Sequence, residues 1–278
     1  VALALISRSG RLPDGDDEEI RHRRQALASL SRSGVRMGLY ACDVADPTAL
    51  AATLERIRHE LGPITGVVHH ATSSRGAFLM SEAPDVAGYV GAITAKLEGA
   101  RHLDALTRDD PVTLFLYAGS LTGLTGAAGH AAYTGANAAL DALAAERMAR
   151  GAPALAIDWC GLSGMGMAAR LVGNHDEMIG PDEARALLLE ALATGAPQVA
   201  VLEPSARAAL AGKPRPASTA APPSPLSTAG GNRALEAGLA LIWAEPVALS
   251  TPKRISGEFA KSCRVTGKDS IFVRIDSF

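Results

Sequence analysis

Four side chains in the first half of the chain have the types and the spacing needed to deliver a proton to a carbonyl oxygen. Tyr133 and Asn137 lie four positions apart on a predicted helix, so they share one face of it. Ser120 closes the predicted strand before that helix, and Lys96 lies on the helix before that strand. In a parallel α/β sheet these positions converge at the carboxyl edge of the strands, where ligands bind.

The chemistry that this set suits is the reduction of a ketone. A ketone that accepts a hydride needs a proton at its oxygen, and a tyrosine can donate one, although its ordinary pKa of about 10 makes the exchange slow at neutral pH. A nearby ammonium favours the phenolate and so lowers that pKa. A serine hydroxyl can bind the carbonyl oxygen as charge develops, and an asparagine amide can fix the lysine or a relay water. The alternative is a core tyrosine and serine with a surface lysine.

The use of lysine in this sequence supports a special role for one of them. Five of the 27 basic residues are lysine, and Lys96 is the single lysine between Val1 and Gly212. A chain so rich in arginine keeps lysine where arginine cannot substitute, because an ammonium is compact and its pKa can be tuned, whereas a guanidinium is bulky and stays charged.

Composition limits the classes of protein to consider. With 278 residues, 47% of them hydrophobic, the chain can build one large α/β domain and a smaller module. A net charge of −2 gives no indication of a nucleic-acid or membrane partner. The three cysteines have no metal-ligand spacing, so we expect no metal site and a reducing, cytoplasmic location.

Apolar strand-like runs alternate with amphipathic helical patterns through the first two-thirds of the chain. The predicted strands are VALALIS, RMGLYACD, ITGVVHHA, VTLFLYAG, PALAIDW and PQVAVLE. This alternation predicts an α/β fold with a doubly wound parallel sheet of the Rossmann type.

The sequence lacks one feature of a dinucleotide-binding fold, which is a first strand followed by a Gly-rich turn. We therefore expect the sequence to enter the fold at its second strand. Residues 1–203 are interpreted as this N-terminally truncated domain, residues 204–232 as a Pro/Ala/Ser-rich linker, and residues 233–278 as part of a second, small helical module.

The segments ACDVAD, GVVHHA, AKLEGARHLDAL, FLYAGSLTGLTGAAGHAAYTGANAALDALAAERMARG and IDWCGLSGMGMA resemble the ketoreductase domains of modular polyketide synthases. These domains belong to the short-chain dehydrogenase/reductase superfamily. The resemblance implies that Tyr133 is the proton donor, Ser120 binds the carbonyl oxygen, and Lys96 acts on Tyr133 with Asn137 positioning it. As in the polyketide subgroup, asparagine stands four residues after the tyrosine and the lysine comes from an earlier helix. Gly119 stands where many relatives have a serine.

The same resemblance implies NADPH as the cofactor. Arg8 follows the first strand, where these reductases place an arginine against the 2′-phosphate of adenosine, and a guanidinium suits a phosphate. Asp43 matches the position that meets the adenine, although it could equally cap a turn. His69 and Ala71, at the end of the third predicted strand, are expected to line the cofactor pocket.

The C-terminal segment resembles the first half of an acyl or peptidyl carrier domain. The likeness lies in Ile242–Trp243 and in GKDSI, in which Ser270 would carry the 4′-phosphopantetheine arm at the start of a helix. The alternative is an ordinary helix-capping serine. Pro246 interrupts the first expected helix of the carrier.

The expected function is NADPH-dependent reduction of a carrier-tethered β-ketoacyl thioester to a β-hydroxyacyl thioester. The partners implied are an acyl or peptidyl carrier and other synthase domains in the same polypeptide. Two alternatives stay open. One is an α-ketoacyl reductase in a depsipeptide-forming nonribosomal peptide synthetase, and the other is a non-catalytic structural remnant of a ketoreductase.

Overall fold

The computed structural model describes residues 2–12, 15, 18–72, 90–91, 93–127, 129–163, 178–203, 205, 207, 264–266 and 270–274. Apart from residues 205 and 207, the proposed linker lies outside these residues, as does most of the proposed carrier segment. The predicted boundaries of the three regions therefore stay predictions.

Parallel strands form the centre of the fold, as the alternation of patterns predicts. The strands are β1 (Ala2–Ser7), β2 (Arg36–Ala41), β3 (Gly66–His69), β4 (Leu114–Ser120), β5 (Leu155–Trp159) and β6 (Gln198–Val201). β1 pairs with β2 in one sheet, and β3, β4, β5 and β6 pair in that order in a second sheet. Every one of these pairings is parallel, so the predicted Rossmann-like α/β class is confirmed.

The parallel strands are divided between two sheets. Among the described strands, none hydrogen-bonds to both β1 and β3. In a doubly wound sheet, the first strand and its Gly-rich turn join these two halves.

Helices connect consecutive parallel strands, as the crossover between such strands requires. They are α1 (Glu18–Arg32), α2 (Pro47–Leu61), a π-helical turn (Thr94–Glu98) that runs into α3 (Gly99–Leu106), α4 (Thr122–Thr125), α5 (Ala131–Ala149) and α6 (Pro181–Ala193). Local sequence explains two of the starts. Asp46 caps α2 by accepting from the backbone amides of Thr48 and Ala49, and Pro181 opens α6 at the position where its missing N–H costs nothing.

The central strands of the larger sheet are buried on both faces. All residues of β4 are buried except its first and last, and Leu155 and Ile157 of β5 are fully buried. The buried pair Arg147–Asp104 ties α5 to α3, and the Arg147 guanidinium lies 4.2 Å from the ring centroid of Phe115. This packing joins the last part of α5 to α3 and to the amino end of β4.

The expected helix start at Ser270 is wrong. Ser270–Arg274 form a strand, β8, which pairs antiparallel with β6 and with β7 (Arg264–Thr266). The physical reason combines local preference with tertiary pairing. Ile271, Phe272 and Val273 are β-branched and aromatic residues that favour strands, and β6 offers an edge for pairing. The carrier interpretation and the attachment of phosphopantetheine at Ser270 stay predictions without support from this element.

Candidate active site

Lys96 lies in the π-helical turn before α3, and its ammonium reaches into the protein. The residue is only 4% exposed, and Nζ donates a hydrogen bond of 2.9 Å to the carbonyl oxygen of Ala118 in β4. Single π-helical turns within helices occur often at functional sites, because they shift the direction in which a side chain points. Here the turn directs Lys96 to the carboxyl end of β4, two residues before Ser120.

The ammonium of Lys96 also lies beside the phenol of Tyr133, since Nζ is 5.6 Å from the centroid of the tyrosine ring. Burial lowers the pKa of Lys96 to about 8, and the charges of Asp158 and Asp141 oppose that change. Near neutral pH the group therefore carries its charge, yet it releases a proton more readily than a surface lysine does.

Tyr133 and Asn137 are joined along α5. The Asn137 Nδ2 donates a hydrogen bond of 2.7 Å to the carbonyl oxygen of Tyr133, one turn earlier. Asn137 is fully buried, and no donor in the part of the chain that the structure describes reaches its Oδ1. A buried acceptor without a donor is costly, so this atom suits a bound water or the hydroxyl group of a ligand.

Ser120 ends β4 where the chain turns into α4. Its Oγ accepts from the hydroxyl of Thr122 at 3.1 Å and from the backbone amide of the same residue at 3.4 Å. The hydroxyl of Ser120 keeps one hydrogen with which to bind a carbonyl oxygen. α4 packs tightly on α5, since a Cβ added to Gly123 would lie 3.1 Å from the Cβ of Asn137.

His69 ends β3, and its ring contacts the backbone of the π-helical turn. The ring is 2% exposed, and Nε2 lies 2.7 Å from the carbonyl oxygen of Lys96. Because a carbonyl only accepts, Nε2 must carry the hydrogen in this contact. Burial lowers the pKa of His69 to about 4, so the ring is neutral at physiological pH. The structure thus gives His69 a contact with Lys96 that the sequence did not indicate, and its predicted part in the cofactor pocket stays a prediction.

The other residues predicted to bind the cofactor lie at the carboxyl ends of β1, β2 and β3. Arg8 is exposed in the turn after β1, and Asp43 is exposed just after β2. The Asp43 Oδ1 accepts from the backbone amide of Ala45 at 3.0 Å, which is the turn-capping role that the sequence left open. Ala71 follows β3 and is half-buried. The contacts expected of these residues with NADPH stay predictions.

Two buried carboxyl groups near Lys96 were missed by the sequence analysis. Asp141 lies on α5, one turn beyond Asn137, and Asp158 is the next-to-last residue of β5. Burial raises the pKa of both groups, and for Asp141 the neighbouring Asp158 raises it further. The available signal was an aspartate within the apolar run LAIDW, together with the four-residue spacing of Tyr133, Asn137 and Asp141.

Comparison with known proteins identifies the family. Residues 1–164 match the family described as KR domain. The match spans more than half of the 278 residues, so this chain belongs to the KR domain family, the ketoreductase domains of modular polyketide synthases, which have the short-chain dehydrogenase/reductase fold.

Individual relatives agree with this assignment. The chain is 41% identical over 166 residues to pikromycin polyketide synthase component PikAIII of Streptomyces venezuelae, a match that covers 59% of this chain and 10% of the relative. It is 39% identical over 157 residues to mycoketide-CoA synthase of Mycobacterium tuberculosis, covering 56% of this chain and 4% of the relative. The chain thus spans at most about a tenth of either relative.

Solved structures of ketoreductases resemble this chain in fold as well as in sequence. A structure described as an A1-type ketoreductase superposes with a TM-score of 0.63 at 28% identity, covering 85% of this chain and 48% of that one. A ketoreductase domain from the bacillaene assembly line superposes with a TM-score of 0.61 at 25% identity, covering 73% of this chain and 49% of that one.

This fold implies a nicotinamide cofactor, and the buried polar atoms fit such a group. The Oδ1 of Asn137 is an acceptor in need of a donor, and the Lys96 ammonium has three hydrogens, of which the carbonyl of Ala118 takes one. Both can serve the hydroxyl groups of a nucleotide ribose or a water beside it. Among the described residues there is no cluster of ligands for a metal ion and no helix that could span a membrane.

Proposed function

We propose that this chain reduces a carrier-borne β-ketoacyl thioester to the β-hydroxyacyl thioester, with NADPH as the reductant. The observation that carries the proposal is the position of the Lys96 ammonium, which is buried, fixed to the carbonyl of Ala118 and 5.6 Å from the ring centroid of Tyr133. The family assignment supplies the class of reaction, and Arg8 beyond β1 favours the phosphorylated nucleotide.

In this proposal Ser120 and Tyr133 act on the oxygen of the ketone. A nicotinamide, when bound, would supply the hydride that the carbonyl carbon accepts. Ser120 donates a hydrogen bond to the carbonyl oxygen and holds it as negative charge develops. Tyr133 donates its phenolic proton to that oxygen, which completes the alcohol and leaves a phenolate.

Lys96 and Asn137 act on the tyrosine. The ammonium stabilises the phenolate that remains after proton transfer, because opposite charges attract strongly in a buried site. Asn137 anchors the carbonyl of Tyr133 and leaves its Oδ1 to accept from a relay water, through which Lys96 returns a proton. A carrier domain and other synthase domains are the expected partners, since the relatives are polyketide synthases.

The test is turnover of pantetheine thioesters by the full-length protein. We expect NADPH to be oxidised with a β-ketoacyl pantetheine thioester and the β-hydroxy product to form. Exchange of Tyr133→Phe should lower kcat by at least about 100-fold, because the proton donor is lost. The matched control is Tyr40→Phe, at a tyrosine of β2 whose hydroxyl donates to Glu60 at 2.8 Å.

The same assay separates the alternatives. Preference for an α-ketoacyl thioester would favour the peptide-synthetase reading, which the polyketide synthases among the relatives do not favour. Absence of both NADPH binding and turnover would favour a structural remnant, and one relative at 33% identity over 157 residues is described as a putative inactive polyketide synthase. Full activity of the Tyr133→Phe variant would contradict the proposed mechanism.

A further inference from the structure

The inner face of α5 continues beyond the residues assigned to the reaction. Asp141 lies one turn after Asn137, which lies one turn after Tyr133, so the three share a face. Asp158 comes from β5, where the strand register places it opposite Gly119 of β4. The charges of both aspartates act on the Lys96 ammonium, which also lies 5.6 Å from the ring centroid of Tyr133.

Asp158 is enclosed on every side. It is fully buried, and its Oδ2 accepts a hydrogen bond of 2.8 Å from the Nε2 of Gln198 in β6. Its Oδ1 lies over Gly119, where an added Cβ would be only 2.5 Å from that oxygen. The glycine at position 119 therefore makes the room that this carboxyl group occupies.

If both carboxyl groups were ionised, they would present more hydrogen-bond acceptors than the described residues supply donors. The two groups lie within hydrogen-bonding reach of each other. Yet, counting donors from the described residues, none lies within hydrogen-bond distance of the Oδ1 of Asp141 or the Oδ1 of Asp158, although the backbone amide of Ser120 also favours the charged form of Asp158. One proton held between them would satisfy both sites and remove the repulsion of two adjacent anions.

We propose that Asp141 and Asp158 share one proton and act as positioning residues, whose single negative charge keeps Lys96 in its charged form beside Tyr133. The inference rests on the proposed function, because it assigns these residues a part in the same reduction. The two aspartates would act through Lys96 and would not contact the substrate. Burial raises the pKa of both carboxyl groups, as a retained proton requires.

The charge balance of the region follows from the elements packed against Lys96. A protonated Asp141 and an ionised Asp158 together carry one negative charge, which offsets the one positive charge of the ammonium. Gln198 from β6 donates to Asp158, which favours that residue as the ionised member. Lys96 interacts with the Ala118 carbonyl from β4, Asp158 from β5, and Asp141 and Tyr133 from α5. The ring of His69 binds the backbone carbonyl of Lys96, and the charge of Lys96 also acts on His70, which follows β3.

The experiment is the pH profile of reduction by the full-length protein with Asp141→Asn, with Asp158→Asn and with both exchanges. An asparagine mimics a protonated aspartate and can donate to the remaining carboxylate. Each single variant therefore keeps one negative charge. We expect the alkaline limb of its pH profile, where Lys96 loses its proton, to stay near that of the parent protein. The double variant has no negative charge, so its limb should move to lower pH by about one unit or more.

Two outcomes would overturn the proposal. If each single variant moved the limb and the double variant moved it further, both carboxyl groups would be ionised and no proton would be shared. If no variant moved the limb, the pair would have no effect on Lys96. The control is Asp109→Asn, the same exchange at an exposed position, which should leave the limb unchanged.

An infrared measurement separates failure of this inference from failure of the proposed function. At neutral pH we expect the C=O stretch of a buried protonated carboxyl group, lost in either single variant as well as in the double variant. This readout needs no turnover. A protein that shows the band but has no reductase activity would contradict the proposed function and support the shared proton. An active protein without the band would support the proposed function and contradict the shared proton. Circular dichroism of each variant checks that the fold is retained.

Discussion

At the scale of single residues, the site depends on contacts that hold Lys96 at both ends. The ammonium of Lys96 donates a hydrogen bond to the carbonyl of Ala118, and the backbone carbonyl of Lys96 accepts one from the ring of His69. The side chain is long and flexible, so fixing its backbone as well as its tip reduces the freedom that the lysine would otherwise have. His69 is thus a positioning residue for the lysine, whatever else it does.

Burial of neutral His69 makes the stability of the fold depend on pH. Its pKa is lowered to about 4 in the folded state and returns to about 6.5 on unfolding. The stabilisation is therefore complete above pH 6.5 and is lost as the pH falls toward 4. We expect His69→Gln, which keeps a donor but cannot titrate, to reduce the loss of unfolding free energy between pH 7 and 4.5 by about 2 kcal/mol.

Chemical denaturation at the two pH values measures this effect. The control is His59→Gln at an exposed histidine of α2, which should leave the pH dependence as it is in the parent. An unchanged acid-side loss in the His69→Gln variant would show that His69 is not buried in its neutral form.

At the scale of elements, the pairing of β4 with β5 couples position 119 to position 158. Gly119 gives up a side chain, and the carboxyl group of Asp158 fills that space. We expect Gly119→Ser to destabilise the fold by about 1–3 kcal/mol, because the new Cβ would lie 2.5 Å from Oδ1 of Asp158 and 3.1 Å from the carbonyl oxygen of Ile157.

A double-mutant cycle tests that coupling. Asp158→Ala removes the clashing carboxyl group, so Gly119→Ser should cost clearly less in that background. Thermal unfolding of the four proteins gives the interaction energy. Equal costs in both backgrounds would mean that the two positions are independent. Gly123→Ala, at a glycine of α4 whose added Cβ would lie 3.1 Å from α5, offers a comparison at a second tight contact.

Some elements were predictable because their signals are local. The parallel strands followed from apolar runs such as LFLYAG, and the start of α6 followed from Pro181 with acidic residues after it. The strand at Ser270 was not predictable from GKDSI alone, because a short apolar segment takes the structure that its surroundings offer. The pairing partner, β6, lies about 70 residues earlier in the chain.

The site was predictable in part, for a related reason. Tyr133 and Asn137 share a helix, so spacing alone places them together. Asp141 and Asp158 come from different elements, and their meeting depends on the packing of α5 against the sheet. Likewise, the contact of His69 with Lys96 depends on a π-helical turn, which the spacing of apolar residues in the sequence does not predict.

At the scale of the whole molecule, the sheet with its helices acts as a frame that brings distant residues to one edge. Lys96 and Tyr133 come from different helical segments, and the Lys96 ammonium lies beside the Tyr133 ring and near the carboxyl end of β4, the strand that ends at Ser120. The buried pair Arg147–Asp104 holds α5 to α3, the two helices that carry the tyrosine and follow the lysine. This frame sets an ammonium at position 96 beside the phenol at position 133.

The most direct test of that claim is the rate of a single turnover of a β-ketoacyl thioester by a Lys96→Arg variant of the full-length protein. A guanidinium keeps the charge but is too bulky for the buried place of the ammonium, so we predict a rate lower by at least about 100-fold with the fold retained by circular dichroism. Arg101→Lys, at an exposed residue of α3, should leave the rate unchanged. Turnover at the parental rate in the Lys96→Arg variant would contradict the account.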